Sequence, residues 1–165
     1  MKIVDVINYF EEIATTHKAI AHTPEKPKFV RMNRDEGQEG MHQDYNFSTV
    51  TLCLEYPQSV VKDALSDNPH DVVQITFHLV QYAGEKDYTQ EVAVLDHTKT
   101  IGLQIMAKVY EDVKELTLFH GFDRNTISIT PVLNYLSEGI VGHTFSFRLT
   151  ASIARELFFN PTDWL

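Results

Sequence analysis

One cysteine, Cys53, occurs in 165 residues, so no internal disulfide can staple the chain, and a lone thiol fits a reducing compartment. No apolar run approaches the roughly 20 residues that a membrane-spanning helix needs. The N-terminus carries Asp5 within its first apolar turn and has no small-residue cleavage site, so a secretory signal is not expected there. Without a secretory route the glycosylation sequon Asn46-Phe47-Ser48 has no consequence. Basic residues are outnumbered, 14 Lys plus Arg against 23 Asp plus Glu, for a formal net charge of -9. Such a surface repels phosphate, which argues against a broad face that grips nucleic acid but not against a protein that surrounds DNA without holding it.

Motifs that carry chemistry are also scarce. There is no glycine loop of the phosphate-cradling kind, no Gly-x-Ser-x-Gly elbow, and no His-Glu-x-x-His or His-x-His pair among the eight histidines. Metal sites depend on clustered ligands, so each histidine is read as structural or solvated. Asp112-Val113-Lys114 has the acid-x-lysine form of many metal-dependent nucleases. There it would lie on a strand after an earlier acid, whereas here it ends a helix. Asp96 and His97 are adjacent on a helix and point apart, so they do not cooperate as an acid/base pair. His120 with Asp123 is the other pair considered. A metal-dependent hydrolase therefore has little in its favour; no enzymatic activity, cofactor or metal is expected.

What is present is a strong pattern. With 43% hydrophobic and 22% charged residues the composition is that of an ordinary globular domain, and the length suits one core. From Val72 to Tyr82 the residues alternate, Val73, Ile75, Phe77 and Leu79 on one face and Val72, Gln74, Thr76, His78 and Val80 on the other, which predicts a strand. After the turn at 83–86, Asp87 is placed to cap a helix, with Gln90 three residues on. That helix is predicted over about 87–113, roughly 25 residues or about 38 Å long. Tyr88, Val92, Leu95, Leu103, Met106 and Tyr110 share its main apolar face, widened by Val94, Ile101, Ile105 and Val109.

The remaining segments take their places around this unit. An amphipathic helix is predicted from Asp5 to His17, on a stripe of Ile3, Val6, Ile7, Phe10, Ile13 and Ala14, and the prolines at 24 and 27 break it. Strands are predicted at 28–33 and 47–56, the latter stopped by Pro57, with 60–71 a linker. Between 126 and 136 a further strand contains Pro131, which argues for a sheet edge or a bulge. The last strand, about 140–153, sets Phe145, Phe147, Leu149, Ala151 and Ile153 against Thr144, Ser146, Arg148, Thr150 and Ser152, one dry face and one wet. The expected fold is α+β: a mainly antiparallel sheet carrying the long helix and the N-terminal helix, in a single domain over 1–154 followed by an aromatic tail at 155–165.

Two segments stand apart. The tail holds Leu157, Phe158, Phe159, Trp164 and Leu165; either it folds back over its own sheet or it hooks into a neighbouring subunit, as aromatic anchors do at interfaces. The polar stretch from Asp35 to Asp44, loosened by two glycines, is either a solvated loop or an arm whose Asp35, Glu36 and Glu39 meet a partner or line a channel.

This order of elements, carried by Phe47 to Tyr56 before Pro57, Val72 to Tyr82 running into the helix from Asp87, and the closing strands Thr126 to Leu136 and Thr144 to Ile153, resembles the tail-terminator or tail-completion proteins of long-tailed bacteriophages. The likeness is one of order and pattern over about four-fifths of the chain. It implies an α+β subunit without a catalytic site, assembling with itself into a ring, commonly a hexamer. Such a ring joins a tail tube protein to a head-side connector protein and lets DNA pass without specific binding, in the virion neck or tail and, during assembly, in the host cytoplasm. On this reading Phe158, Phe159, Trp164 and Leu165 serve the subunit interface and Asp35, Glu36 and Glu39 the channel or partner loop. The long stretch from Arg34 to Asn46 and the aromatic tail depart from the family pattern, which leaves open whether the chain is the terminator or another ring of the neck. The alternative is a small cytosolic α+β module that binds a ligand or a protein in a pocket between helix and sheet.

Overall fold

The computed structural model describes residues 2–32, 47–62, 70–114, 121–135 and 137–152. The elements run α1 (Ile3–Thr16), β1 (Phe29–Met32), β2 (Thr51–Glu55), β3 (Gln58–Lys62), β4 (His70–Tyr82), α2 (Tyr88–Asp112), β5 (Asp123–Val132) and β6 (Ile140–Ser152). The strands form one sheet in the order β1-β2-β4-β6-β5, with β3 beside β4 as well. All pairings are antiparallel except β1 with β2. The architecture is the expected α+β fold. The aromatic tail at 155–165 and the acidic stretch containing Asp35, Glu36 and Glu39 lie outside the described residues.

β4 and β6 form the spine. Each has 13 residues, and they pair without a break from His70 opposite Ser152 to Tyr82 opposite Ile140. The alternation read in the two strands puts Val73, Ile75, Phe77, Leu79, Phe145, Phe147 and Leu149 on one buried face. α2 has 25 residues, about 37 Å, close to the ~43 Å of the strands, so one helix runs most of the length of the sheet. α1 covers the neighbouring strip over β1 and β2 with Val6, Ile7, Tyr9, Phe10, Ile13 and Ala14, joining the same core. Its expected stripe begins one turn late, because Ile3 is half exposed at the fraying first turn.

Several boundaries differ from expectation for physical reasons. The region after Pro57 is strand β3, where a linker was expected. Leu54 faces Phe77 and Gln58 faces Gln74, so Glu55, Tyr56 and Pro57 oppose only Ile75 and Thr76. One extra residue is thus absorbed as a bulge, which accommodates the proline and lets the ladder resume. All five β3 residues are exposed, so no hydrophobic alternation marks them. Phe47, expected to start a strand, is buried in a turn, and β2 begins at Thr51. β5 starts at Asp123 instead of Thr126, with an irregular register between Asp123 and Ser128, and Pro131 sits on it at the sheet's edge as expected.

The facing of α2 is also corrected. Val94, Thr98, Ile101, Gly102, Ile105, Met106 and Val109 point at the sheet, while Tyr88, Val92 and Leu103, read as part of the main apolar face, are exposed at 75%, 57% and 48%. The residues taken as a widening of the stripe are its centre. The reason is Gly102. It lies tight against β6, where an added Cβ would lie 1.9 Å from the Phe145 ring, and that ring is stacked on Phe77 with centroids 5.1 Å apart and planes 6° from parallel. Asp87 caps the helix as expected, its carboxylate accepting from Gln90 N–H at 3.0 Å. Among the described residues no helix is long and apolar enough to cross a membrane.

Two outcomes follow from this packing. Gly102→Ala gains about 1 kcal/mol of helix propensity, but Phe145 cannot retreat from Phe77. Overpacking costs about 1–3 kcal/mol, so net destabilisation in urea unfolding is expected, and a stabilised variant would contradict the packing. His143, buried between the same elements, has Nδ1 3.1 Å from Thr98 Oγ1. Burial and then Lys99 hold its pKa below the ordinary imidazole value, partly opposed by Asp96. The unfolded chain therefore binds a proton first as the pH falls. Stability is full above about pH 6.5 and declines from there down to the lower pH at which the folded imidazole charges. His143→Asn is expected to flatten the dependence of unfolding free energy on pH in that window.

Candidate functional site

Both helices lie on one face of the sheet; the other face is only partly covered by the described residues. At the end where β4 finishes, Phe47, Ile140 and the half-buried Tyr135 close over Val30, Met32, Cys53 and Val80. Beyond them the face is an open polar trough made of three depressions that run into one another. The largest, about 340 Å³, is lined by Glu55, Gln58, Gln74, Thr76, His78, Val132, Tyr135, Thr144 and Ser146. A second of about 330 Å³ adds Asn125, Thr126, Ser128 and Arg148, and a third of about 150 Å³ reaches Val60, Lys62 and Val72. Hydroxyls and amides make most of this floor. Its cations, Arg148 and Lys62, form no ion pair among the described residues.

The chemistry is concentrated at the covered end. His78 is held at both ring nitrogens, Nδ1 2.7 Å from Thr144 Oγ1 and Nε2 3.0 Å from Glu55 Oε1. Register brings these together: His78 faces Thr144 across β4–β6, and Glu55 ends the strand on its other side. The His78 and Glu55 side chains are only 8% and 13% exposed. An ionised carboxylate can only accept, so Nε2–H donates to Glu55, and Nδ1 meets the Thr144 hydroxyl, a group that can both donate and accept. Tyr135 lies over the imidazole with ring centroids 4.8 Å apart, and its hydroxyl donates to Met32 Sδ at 2.8 Å. Burial, reinforced by Cys53 and Glu55, raises the Tyr135 pKa far above its ordinary value, so the phenol stays neutral. Burial likewise pushes the Cys53 thiol up to about 12, which leaves it without the thiolate that nucleophiles and metal ligands need.

A hydroxyl, an imidazole and a carboxylate in a chain are the parts of an activated nucleophile. Acyl transfer also needs donors aimed at the developing oxyanion. Thr144 sits between His78 and Thr130 in a three-strand ladder, where the backbone N–H groups are committed to neighbouring strands. The arrangement therefore orients a polar group at the trough floor and holds the three central strands in register.

The other candidates fall elsewhere. Asp112 accepts from Tyr9 Oη at 2.8 Å and from Lys108 at 2.6 Å, tying α1 to the end of α2, and Lys114 pairs with Glu111. Burial alone would raise the Asp112 carboxyl, but the hydrogen bonds from Lys108 and Tyr9 outweigh it and hold the pKa below its usual value. Asp96 and His97 are both exposed. Among the described residues no three His, Cys, Asp or Glu side chains are grouped to hold a metal ion. Phe158, Phe159, Trp164 and Leu165 and Asp35, Glu36 and Glu39 lie outside the described residues, as does His120. Sequence reasoning missed the Glu55–His78–Thr144 set. Its signal was three polar residues on the wet faces of three strands, but their meeting depends on a register that alternation does not specify.

The chain matches no family model and no curated protein in sequence comparisons.

Thr144→Val is expected to cost about 1–3 kcal/mol, since it leaves Nδ1 of His78 unpaired, and to cost little in a His78→Leu background. Urea unfolding of the four chains measures this coupling. Equal costs in both backgrounds would mean that the hydroxyl and the ring are not coupled.

Proposed function

We propose that this chain is a structural protein of a phage virion, of the tail-terminator or tail-completion type at the neck or tail end. It assembles as a ring, commonly a hexamer, that joins a tail tube protein to a head-side connector and lets DNA pass through without specific binding. The observation that carries this reading is the asymmetry of the subunit: two helices stiffen one face of a long sheet, and the described residues leave the other face open and polar. The element order on which the resemblance rests supports it as well. So does the charge of -9, since an acidic ring repels the duplex and lets it slide. The work is geometric and needs no catalytic group or cofactor.

A second reading, a small cytosolic ligand- or protein-binding module, is favoured by one feature: the trough of about 340 Å³ beside His78 offers a pocket with a few convergent polar groups. It places the ligand on the open sheet face, whereas a pocket between helix and sheet was expected, and that space is filled by core side chains.

Light scattering across a range of protein concentrations, with negative-stain images of the same samples, separates the two. The ring reading expects a discrete species near the mass of a hexamer of 18.9 kDa chains, annular in projection, that does not retard linear duplex DNA at physiological salt. A chain that stays monomeric throughout, or that grips duplex DNA, would overturn it in favour of the module.

A further inference from the structure

The smallest depression of the trough, about 150 Å³, differs from the other two. Its lining of Gln58, Val60, Lys62, Val72, Gln74 and Arg148 holds two cations and no acid. Register explains the arrangement. On this face Val60 stands opposite Val72. Two residues along in one direction Gln58, Gln74 and Arg148 share a row across β3, β4 and β6, and two residues the other way Lys62 stands opposite His70. A valine floor is thus flanked by a cation on each side, and Val60 is 62% exposed. Arg148 spends its backbone N–H on Thr126 Oγ1 at 2.9 Å, but neither its guanidinium nor the Lys62 ammonium forms an ion pair among the described residues.

The described acids nearest this hollow are turned or tied elsewhere. Asp71 alternates to the other face of β4. Glu55 is bonded to His78, which is four residues, or about 14 Å, along β4 from Gln74. Asp123 is opposite Arg148 in the ladder, yet it lines none of the three depressions and makes no ion pair with Arg148; its Oδ1 accepts from Asn125 N–H at 2.9 Å. We infer that the hollow binds a small organic anion, its carboxylate or phosphate head on Arg148 and Lys62 and its short aliphatic part on Val60 and Val72. The guanidinium fork suits such a head because it can give two parallel N–H···O bonds. The amides of Gln58 and Gln74 stand in the same row as further donors. The inference rests on the second reading above, that the trough is a ligand site, and names the ligand class.

The test uses the full chain with butyrate as the probe and butyramide, which has the same shape without the charge, as its match. Both are followed by saturation transfer from protein to ligand in NMR titrations. Butyrate is expected to bind, and butyramide to bind at least about tenfold more weakly, since hydrogen bonds to a charged group are the stronger kind. Arg148→Gln is expected to weaken butyrate by a similar factor. Position 148 is exposed, so this variant keeps the circular dichroism spectrum and melting temperature of the native chain. Lys18→Gln makes the same change of charge at an exposed position outside the trough and is expected to leave binding unchanged. Inorganic phosphate that displaces butyrate shows that either head is accepted; phosphate that does not displace it restricts the site to carboxylates. A chain that does not bind butyrate, or binds butyramide as tightly, would overturn the site, as would equal affinities in native protein and Arg148→Gln or equal losses in Arg148→Gln and Lys18→Gln. The reading beneath it fails separately. Rings in light scattering, with butyrate binding that depends on Arg148, keep the anion site and lose the module. Monomers that bind both probes alike keep the module and lose the anion site.

Discussion

The stack of Phe77 on Phe145 is the contact on which the rest of the structure depends. It lies in the middle of the β4–β6 pairing, and in that register the two residues face each other across the ladder. A slip of one residue would turn one strand over against the other, sending its ring to the wet face and bringing its polar neighbour, His78 or Thr144, into the core. The stack also leaves no room above it, so α2 crosses with Gly102 over the Phe145 ring. That choice rotates the helix, and the rotation decides which apolar side chains are covered and which face outward.

Much of this was legible because one face of each long element is dry. β4, β6 and the span of α2 carry runs of alternating or helical apolar residues that only one backbone conformation can bury. β3 was not legible, since Gln58 to Lys62 are wet on both sides and a strand held by a single neighbour needs no pattern. The facing of α2 failed for another reason. It is apolar over more than half its circumference, and periodicity cannot say which part meets the sheet when the deciding residue is a glycine with no side chain to count. The Glu55–His78–Thr144 set is legible only after register is known, because its members are far apart in sequence and lie on three strands.

The polar set and the bulge belong together. Pro57 cannot donate to the ladder, and the extra residue it requires falls between β2 and β3, beside Glu55. The bulge bends the bordering strand just where a carboxylate must reach across to His78. Replacing ladder regularity with a side-chain bridge keeps β2 tied to β4 at the point where backbone pairing is interrupted. On this account the imidazole is a structural cross-brace first, and its place at the trough floor is a consequence of that position.

Beyond the bulge the chain runs on as β3, a border that no other strand among the described residues pairs on its outer side. Natural edges are usually protected by proline, bulges or charge. β5 has such protection, with Pro131 on the strand and an irregular register between Asp123 and Ser128. β3 has Pro57 and the bulge just before it and Lys62 at its end, and it presents valines on both faces. A stiff spine about 43 Å long, set by the 13 residues of β4, holds that border at the end of the sheet remote from the start of α2.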